Sequence, residues 1–377
     1  MEKFEVQKTG NRKIIIAGGG TGGHIFPAIA IANAIKRMDE KSEILFVGAK
    51  GKMEMEKVPQ AGYKIEGLDI AGFNRSSLIK NIGLPFKLAR SFLQVRRIFK
   101  NFRPGAVIGV GGYSSFPVMR LAQILGIPTF IHESNSLPGK SNIMLGKRAT
   151  GNFVSAAGME KYFPAKKLIV SGNPVRNVFL QKIPRNEAAN FFGLKPEIKT
   201  VFIMGGSLGA KSINETIAKN VHVFKENNLQ LIWQTGKLFS GKAGIETNTD
   251  KNIWRSEFIN RMEYAYAAAD IVVARSGAMT IAELCVVGKA AILVPYPFAS
   301  EDHQAANALA LIREHAALMV RDADVAATLI DTILNLVKDE KKIGELQVNI
   351  SKLSITNADE IIANEILKTI QKKILKK

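Results

Sequence analysis

The chain has 377 residues, 46% of them hydrophobic and 23% charged, and a formal net charge of +19. That length predicts two domains or one large one, either able to bury a full core, and the lone Cys285 excludes an intrachain disulfide and points to a reducing compartment. The opening "MEKFEVQKTGNRK" lacks the apolar centre of a secretory signal and no run reaches 18 apolar residues, so neither export nor a membrane span is expected.

The first half alternates apolar runs with helical patterns. "KIIIAG" (13–18) predicts a strand and "PAIAIANAIKRM" (27–38) a helix, with Pro27 in the first turn, where a missing N–H is harmless. "EILFVGA" (43–49), a helix over 85–100, "AVIGVGG" (106–112), a helix near 116–125 and "PTFIHES" (128–134) continue the rhythm. The stretch 176–199, rich in Pro, Asn and charge, predicts a linker. From residue 200 the rhythm restarts: "TVFIMGGSLGAKSINETIAK" (200–219), "LQLIWQTG" (229–236), "DIVVARSGAMTIAELCVVG" (270–288) and "AAILVPYP" (290–297). The expectation is an α/β chain of two Rossmann-like, doubly wound domains, 1–175 and 200–355, with a helix over 356–377 packing back on the first. Ligands of such sheets bind outside the carboxyl ends of the strands, and a cleft between two such halves is the expected active site.

Charge follows the same division. Residues 1–176 hold 27 Lys and Arg against 11 Asp and Glu, whereas the remainder is nearly balanced. The first half is therefore expected to meet an anion: a phosphorylated substrate, an anionic lipid or a nucleic acid. No nucleic-acid recognition motif or interleaved aromatic stripe accompanies the charge, so nucleic acid is not expected.

Each half opens with a glycine-rich turn. "AGGGTGGH" (17–24) satisfies G-x-G-x-x-G at Gly18, Gly20 and Gly23, yet "EILFVGAK" ends without the acid that would hold a dinucleotide ribose. A P-loop lysine is also missing. What is left is an anion site made of backbone N–H groups and a helix N-terminus, closed by His24. That histidine reads either as a general base or as a cap bonded to a backbone carbonyl. In the second half, "GGSLGA" (205–210) offers Ser207 and further turn amides. "RSGAMTIAE" (275–283) places Thr280 and Glu283 one turn apart, with Glu283 able to accept two ribose hydroxyls. "EDHQ" (301–304) suits sugar hydroxyls, and the Asp322-x-Asp324 pair reads as helix capping. No spacing requires a metal, and no cofactor is expected.

Taken in order, "GGGTGGHIFPA" (18–28), "GVGGYSSFP" (109–117), "IHESN" (131–135), "GNPVR" (172–176), "GGSLGA", "RSGAMTIAE" and "DHQAANA" (302–308) resemble the MurG family of bacterial glycosyltransferases over nearly the whole chain. The resemblance implies a GT-B architecture and inverting, metal-independent transfer of N-acetylglucosamine from UDP-GlcNAc to the MurNAc 4-hydroxyl of undecaprenyl-linked lipid I, forming lipid II for the cell wall. It implies donor contacts at Thr21, Gly22, Gly23, Asn135, Arg176, Ser207, Ile259 (backbone to uracil), Ala278, Met279, Thr280, Ile281, Ala282, Glu283 and Gln304. It implies His24 or Glu133 as the base, and Gly19, Gly20, Gly111, Gly112 and Tyr113 at the acceptor pyrophosphate. The same resemblance leaves a diacylglycerol glycosyltransferase of the superfamily as the alternative. It also implies a peripheral position on the cytoplasmic face of the plasma membrane.

The helix over 85–100 is the expected membrane face. Leu88, Phe92, Val95 and Phe99 form one stripe, while Phe86 and Leu93 fall among Arg90, Arg97 and Lys100, with Lys80, Lys87 and Arg96 nearby. Exposed apolar side chains ringed by cations suit an anionic leaflet.

Overall fold

The structure, a computed structural model, describes residues 12–72, 83–239 and 251–375, with side chains to residue 372. Lys80 lies outside the described residues. Two compact units divide the chain: Met1–Val175 with Asn357–Lys377, and Arg176–Thr356.

In the first unit, Ile14 and Ile16 pack on one side of the opening strand and Ile15 and Ala17 on the other, all at most 1% exposed. A strand buried on both faces reads as a continuous apolar run, and "KIIIA" is one. The elements follow as β1 (Lys13–Ala17), α1 (Gly22–Met38), β2 (Glu43–Ala49), α2 (Glu54–Gln60), β3 (Lys64–Leu68), α3 (Leu84–Phe102), β4 (Ala106–Gly109), α4 (Ser115–Ile124), β5 (Thr129–Glu133), α5 (Lys140–Gly146), β6 (Gly151–Val154) and β7 (Leu168–Val170). The sheet is parallel in the order β3-β2-β1-β4-β5-β6-β7. Its order reverses between β1 and β4, the position where ligands meet such sheets.

The second unit contains α6 (Arg185–Phe191), β8 (Thr200–Met204), α7 (Lys211–Lys219), α8 (Val221–Glu226), β9 (Gln230–Gln234), β10 (Ile253–Ser256), α9 (Met262–Ala268), β11 (Ile271–Ala274), α10 (Ala278–Val287), β12 (Ala290–Leu293), α11 (His303–Arg313), β13 (Leu318–Met319), α12 (Val325–Lys338) and α13 (Glu340–Lys352). Its parallel sheet runs β10-β9-β8-β11-β12-β13, with the switch between β8 and β11. The closing helix α14 (Ala358–Leu375) returns to the first unit, where Ile362, Ala363 and Ile366 join the α1 core and Asp359 pairs with Arg37 at 2.8 Å.

Two sequence expectations need correction. Residues 176–199, read as a linker, are structured and fold with the second unit. Arg185 there makes a two-pronged ion pair with Asp270 at 2.7 Å, and Phe191 packs at a tilt on Tyr264 while Phe192 meets Trp254 edge-on. The aromatic pairs connect residues far apart in sequence, so a local reading sees only Pro, Asn and charge. Pro27 is not in the first turn either, because α1 starts at Gly22. Proline there withholds the amide that the Gly23 carbonyl would otherwise accept.

Candidate functional site: two glycine loops at the sheet switch points

The loop after β1 is held from three sides. Gly18 N–H donates to Val47 O, Gly19 N–H to Gly111 O at 3.3 Å, and Gly20 N–H to Glu54 Oε2 at 2.8 Å. The amides of Gly19 and Gly20 are thus committed inside the fold. The donors that a helix start leaves without an intrahelical acceptor are those of its first turn, here Gly22 and Gly23. Thr21 makes no side-chain cap and the first turn has no acid, so the helix itself supplies nothing that offsets its positive end.

His24 is half-buried, and its Nδ1 lies 3.0 Å from the Gly19 carbonyl oxygen and 3.4 Å from Thr21 Oγ1. A carbonyl only accepts, so Nδ1 carries the hydrogen, and in the neutral ring the basic lone pair falls on Nε2. The two sequence readings of this histidine are therefore compatible: the capping bond is also what orients the ring. The loop after β4 supplies the floor. A Cβ on Gly111 would lie 2.8 Å from His24 Nε2, and one on Gly112 would lie 2.5 Å from Gly19 O, so both positions require glycine. Tyr113, beside them, packs its ring against Gly72, and burial raises its phenol above the usual value.

Glu133, the other candidate base, is 4% exposed. Its carboxylate accepts from Asn135 N–H at 3.0 Å, Asn135 Nδ2, Gly139 N–H and Asn142 Nδ2 at 2.8 Å. Those four donors shape the turn after β5 and position Asn135. Behind it His132 is fully buried, and desolvation pushes its imidazole down to about 4 against the opposing pull of Gly172 and Asn173.

In the second unit the loops after β8 and β11 sit at the switch. Ser207 is exposed, and its loop is fixed through its carbonyl, which accepts from Lys237 N–H at 3.0 Å. Ile259 is 2% exposed; its N–H is taken by Gln234 Oε1 at 3.0 Å, while Gln234 Nε2 donates to Gly206 O. What the Ile259 backbone can offer a base is then its carbonyl. Ala278, Met279, Thr280, Ile281 and Ala282 form the half-buried start of α10 after Gly277. Glu283 is held one turn further in: burial pushes its carboxyl up to about 7, opposed by Arg176 and by the Tyr266 hydroxyl. Arg176 itself is exposed, with its guanidinium 4.7 Å above the Phe179 ring. Gln304 accepts Tyr296 N–H at 3.0 Å through Oε1, so Nε2 is the donor end of its amide. Just before it, Glu301 and Asp302 both adopt left-handed backbone angles, a strained entry to α11.

Several residues that shape these loops carry no signal in the sequence. Glu54, 1% exposed, comes from the first turn of α2, past the end of β2 where a ribose acid would stand. Gln234 belongs to no motif. Asp322 is not a cap: it accepts from Arg275 at 2.6 Å and from Ser212, and so braces the "RSG" turn.

On α3, Phe86 and Leu93 are 79% and 69% exposed, whereas Val95 and Phe99 are buried and Leu88 and Phe92 half-buried. Arg90 pairs with Asp69 at 3.4 Å. Arg97 and Lys100 are exposed and have no ion-pair partner among the described residues. No described helix is long and apolar enough to cross a membrane.

Comparison with known proteins matches both units. Residues 14–154 match the glycosyltransferase family 28 N-terminal domain and residues 200–364 its C-terminal domain. The UDP-N-acetylglucosamine--N-acetylmuramyl-(pentapeptide) pyrophosphoryl-undecaprenol N-acetylglucosamine transferase of Bacteroides thetaiotaomicron is 48% identical, covering 94% of this chain and 97% of its own. The enzyme of the same name from Parabacteroides distasonis is 46% identical over 96% of this chain and 99% of its own. Among solved structures, Acinetobacter baumannii MurG aligns with a TM-score of 0.78 at 27% identity, over 94% of this chain and 99% of that one.

Proposed function

The chain belongs to glycosyltransferase family 28, and from that premise we propose that it moves N-acetylglucosamine from UDP-GlcNAc to the MurNAc 4-hydroxyl of undecaprenyl-pyrophosphoryl lipid I, forming lipid II. Near-full-length identity of 48% to a transferase of that name carries the reading, and both glycine loops stand at the switch points where the chemistry needs them.

In the proposed reaction, His24 Nε2 takes the proton of the 4-hydroxyl as its oxygen attacks the anomeric carbon. The bond to the UDP β-phosphate oxygen breaks on the opposite face, so the configuration inverts. Negative charge grows on the departing diphosphate, where the α10 N-terminal amides and Arg176 meet it. The Glu283 carboxylate takes the ribose hydroxyls, the Ile259 carbonyl takes the uracil imide, and Gln304 Nε2 donates to the sugar. On the acceptor side, the Thr21–Gly23 amides at the start of α1 suit phosphate better than Gly19 and Gly20, whose amides are internally bonded. Glu133 serves as the organiser of Asn135 rather than as the base, since four donors hold it. The α3 face with Phe86 and Leu93 rests on an anionic bilayer on the cytoplasmic side, within reach of a lipid-borne acceptor.

The test is transfer of labelled GlcNAc to a short-chain lipid I analogue, with diacylglycerol as the competing acceptor. Product on the lipid I analogue alone supports the reading; transfer to diacylglycerol makes this a glycolipid synthase instead.

A further inference from the structure

One peptide group connects Glu54 to His24. The amide joining Gly19 to Gly20 gives its N–H to Glu54 Oε2 at 2.8 Å, and its C=O faces His24 Nδ1 at 3.0 Å. Both bonds use the same conjugated unit, so charge drawn to one end is felt at the other. The second carboxylate oxygen is fixed by Ala49 N–H at 2.9 Å, which anchors the acid at the end of β2. Glu54 is 1% exposed, and among the described residues no cation pairs with it. Its carboxyl lies so close beneath the loop that a Cβ on Gly19 would fall 2.4 Å from Cδ, and one on Gly48 would fall 2.5 Å from Cγ. The positive φ of Gly19 and Gly20 turns this peptide so that its two ends face opposite partners.

We propose that Glu54 is a positioning residue that acts on His24 through the Gly19–Gly20 peptide. The carboxylate polarises the amide, the polarised carbonyl strengthens its hold on Nδ1–H, and the imidazole gains basicity at Nε2 together with a fixed orientation. A carboxylate behind a histidine does the same work in hydrolase triads; here a backbone amide stands between the two. The acid also consumes the Gly20 N–H, so the loop's anion-binding amides lie further along, at the start of α1. The inference rests on the reading of His24 as the base.

The experiment uses the full chain and the variants Glu54→Gln, Glu54→Asp and His24→Ala. Imidazole ¹⁵N spectra, assigned by loss of a signal in His24→Ala, report the tautomer and titration of His24 without any turnover. The wild type should show Nδ1–H; an Nε2–H tautomer overturns the proposal whatever the variants do. Glu54→Gln should move the His24 titration and the acid limb of the kcat/KM profile together to lower pH. It should also cut kcat by roughly 10–100-fold, the range seen when an outer partner of a metal-bound histidine is removed. The KM for UDP-GlcNAc should change little, because the groups proposed to take its uracil, ribose and diphosphate come from the second unit. Glu54→Asp, too short to reach both amides, should lose kcat while keeping part of the shift. Loss of kcat with an unmoved His24 titration means a purely structural role and sinks the proposal. Full turnover by His24→Ala would instead sink the base assignment, and the spectra would still decide whether Glu54 tunes the ring.

Discussion

The Tyr266 hydroxyl donates to Glu283 Oε2 at 3.1 Å, and burial around that carboxyl pushes it up to about 7. Two ribose hydroxyls need the ionised form as acceptor, so the KM for UDP-GlcNAc should rise as pH falls through about 7. The stability effect has the opposite sign. Between the ordinary carboxyl value of 4.5 and about 7, the folded chain binds more protons than the unfolded one, so the ligand-free protein loses stability as pH rises through that window. Glu283→Gln should flatten both slopes, raise Tm at pH 8 and weaken donor binding. An unchanged KM profile in that variant would mean Glu283 does not meet the ribose.

His24→Ala should lower turnover by about 10²–10⁴, the usual contribution of a placed base, with UDP-GlcNAc affinity by calorimetry and Tm close to wild type. Glu133→Gln should behave differently. It turns an amide toward the donors on Asn135, Gly139 and Asn142, which costs about 1–3 kcal/mol of stability. A Glu133→Gln protein that melts like wild type yet has lost turnover would restore Glu133 as the base.

Gly111→Ala places a methyl 2.8 Å from His24 Nε2 at a φ of +101°. A displacement of the ring on that scale should reduce kcat on the order of 10²-fold. The KM for UDP-GlcNAc is the control and should not move. Full activity would mean the ring works from another position.

His132 is buried in its neutral form, with an imidazole pushed down to about 4. The unfolded chain takes a proton near the ordinary value of 6.5, so stability is lost as pH falls from there toward 4. Thermal melts at pH 7 and pH 5 should differ less for His132→Asn than for wild type. Equal differences would place the acid sensitivity elsewhere.

Phe86→Glu combined with Leu93→Glu should abolish sedimentation with anionic vesicles while leaving transfer to a soluble acceptor analogue intact. Raised salt should weaken wild-type binding, since Arg97 and Lys100 supply screened charge. Sedimentation unchanged by the double substitution would remove α3 as the membrane face.

Much of the architecture is legible in the residues alone. "KIIIA", "TVFIM" and "IVVA" are strands buried on both faces, and each runs into a glycine turn that the following helix closes. Period and punctuation are local properties, so two parallel-sheet domains and their glycine loops can be read from neighbours in the chain. The limits are also physical. α1 begins five residues earlier than its apolar pattern, because the Gly22–Gly23 start has no periodicity to show. Residues 176–199 look like a linker because Phe191 and Phe192 find their aromatic partners only after folding.

By itself, the sequence determined the fold class, the two glycine turns and the residue types gathered near them. Tertiary structure alone decided how those residues are used. It showed that Glu54 rather than a ligand occupies the Gly20 amide, that four donors hold Glu133, and that Asp322 braces Arg275 instead of capping a helix. A hydrogen bond has two ends, and when they come from elements distant in the chain, no local pattern records which donor an acid will find.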